Sequence, residues 1–184
     1  MWDISQFWKK YFIIAIYPTK EIIMLSIFTV CFFGHRRIDD TKTIETRVKK
    51  VIDTILLQHE YVEFLVGRNG EFDQIVSSAV LRSKKRADAG NCSLTWVMPY
   101  LSSDYTHNQE DYERYYDAIE VCEQSALAHP KSAIQIRNRA IVDRSDLCVF
   151  YVCKNTGGAF QTMRYAAKEG KNIINLSFIS HMSV

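Results

Sequence analysis

Short apolar runs alternate with amphipathic helical patterns along most of this chain, and this alternation limits the folds open to it. Residues 27–33 (IFTVCFF) are continuously apolar and end at Gly34, as expected of a strand buried on both faces of a parallel sheet. Between residues 44 and 56, apolar residues recur at helical spacing. Similar strand-like runs follow at residues 61–66, 94–98, 147–152 and 172–176. Repeated β-α units of this kind predict a mainly parallel sheet with helices on both faces.

The chain has 184 residues, a length that suits one domain. We predict a single domain over residues 24–184, with an irregular, tyrosine-rich insert at about residues 100–131. Residues 1–23 form an N-terminal extension, and Met24 is a candidate for the natural start because strand-like residues begin directly after it. The apolar stretches on either side of Lys20 and Glu21 do not fit a membrane-spanning helix, so no membrane partner is expected.

Charge and cysteine content narrow the classes of function. The formal net charge is +2, which argues against a nucleic-acid binder and predicts no direct nucleic-acid partner. The five cysteines are an odd number without a C-x-x-C pair, which favours reduced, buried thiols in a cytoplasmic protein. The histidines show no metal-ligand spacing, so no metal is expected.

The loops after the predicted strands contain the candidate binding residues. In such sheets a ligand binds beyond the carboxyl ends of the strands, where the strand order reverses. Glycines there let the backbone approach a ligand, a helix N-terminus favours an anion, and arginine suits phosphate. The predicted ligand-binding residues are Gly34, His35, Arg36, Gly67, Arg68, Asn69, Gly70, Asp73, Arg137, Asn138, Gly157 and Gly158.

Three of the residues near these loops are also candidates for acid–base chemistry. Glu71, Asp73 and His35 have suitable side chains, although Asp73 is equally suited to capping the second helix and His35 to bonding neighbouring loops. Tyr100 or Tyr105 of the insert is suited to stacking on a base, with local packing as the alternative.

Six motifs together make a more specific pattern than any of them alone. They are FFGHR at 32–36, GRNGEFD at 67–73, AIQIRNR at 133–139, DRSD at 143–146, GGAFQT at 157–162 and IINL at 173–176. In this order they resemble the YpsA-like branch (DUF1273) of the SLOG superfamily, over about residues 25–176. The resemblance implies a Rossmann-like, three-layer α/β/α fold and a pocket for a nucleotide or nucleotide-derived ligand. Other members of the superfamily include the DNA-uptake protein DprA and the Lonely Guy phosphoribohydrolases.

One departure from the superfamily bears on catalysis. The Lonely Guy enzymes carry the motif P-G-G-x-G-T-x-x-E, whose glutamate belongs to their hydrolase site. When residues 156–164 of this chain are aligned with that motif on Gly157 and Gly158, Arg164 takes the place of the glutamate. The proline and the third glycine of the motif are also missing. This difference argues against a phosphoribohydrolase and leaves phosphate binding by the glycine pair intact.

The sequence therefore predicts a binding module or sensor for a nucleotide-derived small molecule, with its phosphate held by the glycine-rich loops. One alternative is a hydrolase that cleaves an N-glycosidic or phosphoester bond of a nucleotide, using Glu71 or Asp73. A second alternative is a protein-interaction component with a vestigial pocket. No cofactor is identified beyond the nucleotide-like ligand, and a homo-oligomer is possible because SLOG relatives often self-associate.

Overall fold

A computed structural model describes residues 11–15, 22–86 and 90–178. The strands are β1 (Tyr11–Ala15), β2 (Ile22–Gly34), β3 (Tyr61–Val66), β4 (Cys92–Met98), β5 (Ala118–Val121), β6 (Leu147–Tyr151) and β7 (Asn172–Asn175). The helices are α1 (Thr41–Gln58), α2 (Glu71–Arg86), α3 (Ser103–His107), α4 (Gln109–Tyr115), α5 (Glu123–Ala126), α6 (Pro130–Arg144) and α7 (Gly158–Lys168). A 3₁₀ turn at Leu176–Phe178 follows β7.

The strand order is β5-β4-β3-β2-β6-β7, and every neighbouring pair in this series is parallel. Strand β1 pairs antiparallel with the beginning of β2. From β2 the chain builds the sheet outward to β5, and it then returns to the other side of β2 with β6 and β7. The sheet and its helices confirm the predicted Rossmann-like, three-layer α/β/α fold with a mainly parallel sheet.

Each face of the sheet has its own apolar core, because successive side chains of a strand point to opposite faces. Phe32 of β2 belongs to the core that α1 and α2 cover, together with Phe64 of β3. Cys31 belongs to the core that α6 and α7 cover, together with Leu65 and Phe150. The continuous apolar run of β2 therefore supplies both cores.

The predicted irregular insert contains regular structure. Strand β5 adds to β4 as a parallel edge strand, and the short helices α3 and α4 lie before it. Aromatic rings of this segment pack around Trp96, with ring centroids 5.9 Å away for Tyr105, 4.9 Å for Tyr112 and 5.5 Å for Tyr116. Of the two roles considered for Tyr105, the structure therefore shows local packing.

All five cysteines are free. Four of them are buried, and Cys153 is exposed. In the described part of the chain, no helix has both the length and the apolar character needed to cross a membrane.

Strand β2 ends where α2 packs closely against it. A Cβ atom at Gly34 would lie 2.3 Å from Cγ and 2.7 Å from Cβ of Phe72, distances that no side chain can occupy. Phe72 lies in the first turn of α2 and is 1% exposed, so it has little room to move. Glycine at this position therefore lets α2 begin directly over the end of the central strand.

We predict that Gly34→Ala lowers the free energy of unfolding by about 1–3 kcal/mol, as overpacking of a core typically does. Chemical denaturation monitored by circular dichroism measures the change. Gly158→Ala is the matched control, because no atom lies within 4 Å of the added Cβ, and it should cause no loss of stability. Equal stability of the two variants would contradict the contact between Gly34 and Phe72.

Candidate functional site

A cavity of about 370 Å³ opens at the carboxyl edge of the sheet, where the strand order reverses between β2 and β6. Its volume lies at the lower end of the range of small-molecule sites. The lining residues are Phe33, Gly34, His35, Arg36, Asn69, Gly70, Asp73, Ile134, Arg137, Asn138, Gly157, Gly158 and Ala159. All the predicted ligand-binding residues except Gly67 and Arg68 are in this set.

Arg137 of α6 places a buried positive charge at this cavity. The residue is 2% exposed, and its Nε has no hydrogen-bond partner among the described residues. Within the same part of the chain, its guanidinium forms no ion pair. Burial lowers the pKa of Arg137, and the charge of Asp73 opposes this shift. An unpaired buried cation is unfavourable, so an anion in the cavity would stabilise it.

Gly67 acts on the site indirectly, by leaving space for this guanidinium. A Cβ atom at Gly67 would lie 2.7 Å from Nη1 of Arg137 and 3.3 Å from Oδ2 of Asp73. The residue does not line the cavity, but it lets the buried arginine reach the cavity wall.

Asp73 lies both at the loop before α2 and at the cavity wall. Its Oδ2 accepts a hydrogen bond from the Asn69 backbone N–H at 2.7 Å, which holds the loop at the start of α2, and its side chain also lines the cavity. Burial raises the pKa of Asp73, while the Asn69 N–H and the charge of Arg137 oppose the shift. Glu71, the other candidate carboxylate, is outside the cavity lining, and its Oε2 accepts from the Ile38 N–H at 2.7 Å.

His35 joins the loops on either side of the reversal in strand order. Its Nε2 accepts a hydrogen bond from the Cys153 backbone N–H at 3.0 Å, and its own backbone N–H donates to the Tyr151 carbonyl at 3.3 Å. An accepting Nε2 requires the neutral ring with its proton on Nδ1. Burial, and then the charge of Lys154, lower the pKa of His35 and favour this neutral form.

The first turn of α7 presents free backbone donors to the cavity. Gly157 has φ +91°, a conformation that favours glycine, and no side chain caps the helix at this position. A hydrogen-bond chain holds the turn in place: Asn138 Nδ2 donates to Thr162 Oγ1 at 3.0 Å, and that hydroxyl donates to the Gly158 carbonyl at 2.8 Å. Unpaired N–H groups and the helix dipole make such a turn a site for an anion.

Arg68, predicted as a phosphate ligand, does not line the cavity. Its guanidinium carbon lies 4.6 Å from the ring centroid of Tyr112 and 6.0 Å from that of Trp96, which is cation–π geometry. Ile134, in contrast, lines the cavity although it was not among the predicted ligand-binding residues. The signal was present, because Ile134 precedes Arg137 and Asn138 at helical i, i+3 and i+4 spacing.

Metal binding has no support in the described ranges. They contain no group of three or more His, Cys, Asp or Glu side chains that could hold a metal ion.

No family model matches the sequence, and no curated protein matches it. Among solved structures, the fold is similar to DNA processing protein A (DprA) from Streptococcus pneumoniae, with a TM-score of 0.59 and 18% identity over 80% of this chain and 49% of that one. It is also similar to DprA from Helicobacter pylori, with a TM-score of 0.56 and 14% identity over 79% of this chain and 63% of that one. This chain thus matches about half of the first structure and less than two thirds of the second.

The similarity to both DprA structures shows a shared Rossmann-like fold. It contradicts the predicted small-molecule sensor without a nucleic-acid partner, because the Helicobacter pylori structure is described by its single-stranded DNA binding mode. The wrong expectation of no nucleic-acid partner relied on net charge, whereas the small-molecule sensor was inferred from glycine-rich loops that suit any phosphate group. The net charge of +2 is a sum over the whole chain, and it does not show where a positively charged residue such as Arg137 lies relative to a cavity.

We predict that Arg137→Met raises the free energy of unfolding by about 1 kcal/mol or more, because the cost of burying the guanidinium outweighs its attraction to Asp73. Denaturant unfolding of the protein without DNA measures this change. Arg139→Met on the exposed side of the same helix is the control and should stay within about 0.5 kcal/mol. If Arg137→Met instead destabilises the protein, then the guanidinium stabilises the fold in the absence of an anion, and the inferred anion site at Arg137 is wrong.

We also predict that His35 weakens the fold in acid. Its folded-state pKa lies below the ordinary value of 6.5, so the native state takes up its proton less readily than the unfolded chain. The neutral ring therefore makes its full contribution to the free energy of unfolding above about pH 6.5, and this contribution decreases as the pH falls below that value. The free energy of unfolding should fall more between pH 7.5 and pH 5 for the wild type than for His35→Gln. An equal decrease in the two proteins would refute this role of His35.

Proposed function

We propose that this chain binds single-stranded DNA, with one backbone phosphate held in the cavity between the ends of β2 and β6. The observation that carries the proposal is the buried guanidinium of Arg137, which has no ion pair in the described residues and faces an open cavity. A phosphodiester supplies one negative charge and several acceptor oxygens. It therefore suits both the guanidinium and the free N–H groups at Gly157 and Gly158.

The shape of the site favours a strand that passes through it. The cavity is open to solvent, and Arg36 at its wall is exposed, so a chain of nucleotides can enter and leave. Most protein contacts to DNA are made to phosphate and sugar groups, which is the chemistry these residues offer. The single-stranded DNA binding described for the Helicobacter pylori structure of similar fold supports the same function here.

Two finer assignments belong to this proposal. Membership of the YpsA-like branch is supported by the motifs at residues 32–36 and 67–73, which supply both loops on the β2 and β3 side of the cavity. A cytoplasmic location is supported by the five free cysteines.

We predict that Gly158→Glu weakens binding of a fluorescein-labelled oligo-dT at least about tenfold, because charge-assisted contacts contribute about 1.5–3 kcal/mol each. The added carboxylate enters open space at the first residue of α7 and repels the phosphate. Acidic residues are favourable at a helix N-terminus, so the variant should fold. Fluorescence anisotropy at constant salt measures the affinity.

Gly158→Gln is the matched control for this experiment. It has the same size without the charge and should bind within about threefold of the wild type, since the backbone donors remain. Arg137→Met should lose affinity as well. Equal binding by the Glu and Gln variants, or no binding of oligo-dT by the wild type, would overturn the proposal.

A further inference from the structure

A second hollow, of about 460 Å³, lies on the outer surface between α6 and α7. We call it the α6–α7 groove, and its lining residues are Gln135, Arg139, Gln161, Thr162, Arg164, Tyr165 and Lys168. It begins beside the cavity, since Asn138 of the cavity wall donates a hydrogen bond to Thr162 of the groove wall. The two hollows therefore follow one another along the same pair of helices.

The charges of the groove are all positive. Its lining as described contains three cations, Arg139, Arg164 and Lys168, and no carboxylate. All three side chains are exposed, and none of them forms an ion pair within the described ranges. A groove lined by free cations is complementary to a polyanion.

Cations on the opposite layer of the molecule are arranged differently. On α1 and α2, Arg82 pairs with Glu45, and Arg86 pairs with Asp53. Charge on that layer is therefore partly neutralised within the protein, whereas charge in the groove is available to a partner.

The spacing of the groove cations fits an extended strand. Arg164 and Lys168 are i, i+4 neighbours on α7, and Arg139 faces them from α6. Helix α7 runs from Gly158 at the cavity to Lys168, which is a rise of about 15 Å at 1.5 Å per residue. The cations thus continue away from the cavity along a line, as successive backbone phosphates do.

Tyr165 of the groove wall contacts Arg139 on one side and Asp143 on the other, and the carboxylate of Glu169 is also near it. Its hydroxyl donates to Asp143 Oδ1 at 2.8 Å, a bond that raises the pKa of Tyr165 to about 12. Its ring lies 5.2 Å from the guanidinium carbon of Arg139. The carboxylate of Asp143 lines the adjoining hollow and not the groove.

The other exit from the cavity is unfavourable for DNA. The loop after β3 leads to α4, because Arg68 of that loop packs on Tyr112. Carboxylates are exposed on α3 and α4, at Asp104, Glu110, Asp111 and Glu113, and among the described residues only Glu110 of these four forms an ion pair, with Arg114. Their charge repels a phosphate backbone, so the α6–α7 groove is the path that electrostatics favours.

We propose that the α6–α7 groove carries the DNA strand away from the cavity, with Arg139, Arg164 and Lys168 contacting successive phosphates. This inference rests on the proposed function, because it extends the same binding site. The occupant it assigns to the groove is the backbone of single-stranded DNA, held by charge and without readout of base sequence.

The test compares two triple variants that lose the same charge. The groove variant is Arg139→Gln, Arg164→Gln and Lys168→Gln. The control variant is Lys42→Gln, Lys50→Gln and Lys85→Gln, which removes three exposed lysines from α1 and α2. All six positions are exposed, so both proteins should fold, and circular dichroism checks this.

Affinity for labelled oligo-dT is then measured by anisotropy across a series of salt concentrations. Each phosphate contact on a single strand contributes about 0.7 to the slope of log K against log salt, so the slope of the groove variant should fall by about 2. The control variant should keep the wild-type slope. A dinucleotide that fills only the cavity should bind the groove variant and the wild type alike.

The outcomes separate this inference from the proposed function. If the wild type does not bind oligo-dT, the proposed function fails and the groove path fails with it. If the wild type binds, Gly158→Glu abolishes binding, and both triple variants give the same slope, then the cavity binds DNA and the groove path is wrong. A lower slope for the groove variant alone supports the path.

Discussion

Strand β2 hydrogen-bonds to β3 on one side and to β6 on the other, and both pairings are parallel. Parallel crossovers are right-handed, so building the sheet in two directions from one strand places the connecting helices on opposite faces. The loops after β2 and β6 consequently diverge at the carboxyl edge and leave a cavity between them. The positions of the cavity, of α7 and of the groove beside it all follow from this central strand.

Two features of the cavity are unfavourable for the protein alone. The guanidinium of Arg137 is buried without an ion pair in the described part of the chain, and the first turn of α7 has no side-chain cap. Both lack the same thing, which is a group with negative charge and acceptor oxygens. Hydrogen bonds fix the surrounding elements, since Asp73 bonds the loop before α2 and Asn138 bonds the first turns of α7. These contacts fix the loop before α2 and the first turn of α7 within the fold itself.

The sheet could be predicted from the sequence because each central strand is a continuous apolar run. In β2, the side chains of this run contribute to the apolar cores on both faces of the sheet. The sequence also predicted which loops lie at the cavity, because the β-α loops meet at one edge of such a sheet. It did not predict the direction of the Arg68 side chain, which depends on Trp96 and Tyr112, two residues that the fold brings together from distant segments. The net charge also could not show that Arg139 and Arg164, on two different helices, line one groove.

The pairing of β2 with β6 has a consequence for biosynthesis. Thr29 of β2 donates its backbone N–H to Asp146, a residue 117 positions further along the chain. A ribosome delivers β2, β3 and β4 well before β6, so one edge of the central strand stays without its partner during most of translation. Unpaired apolar edges promote association between chains, and long-range parallel pairing is slow. The β6 edge of β2 is therefore paired only after the sequence as far as Tyr151 has emerged, and we expect association between chains to be most favourable before that point.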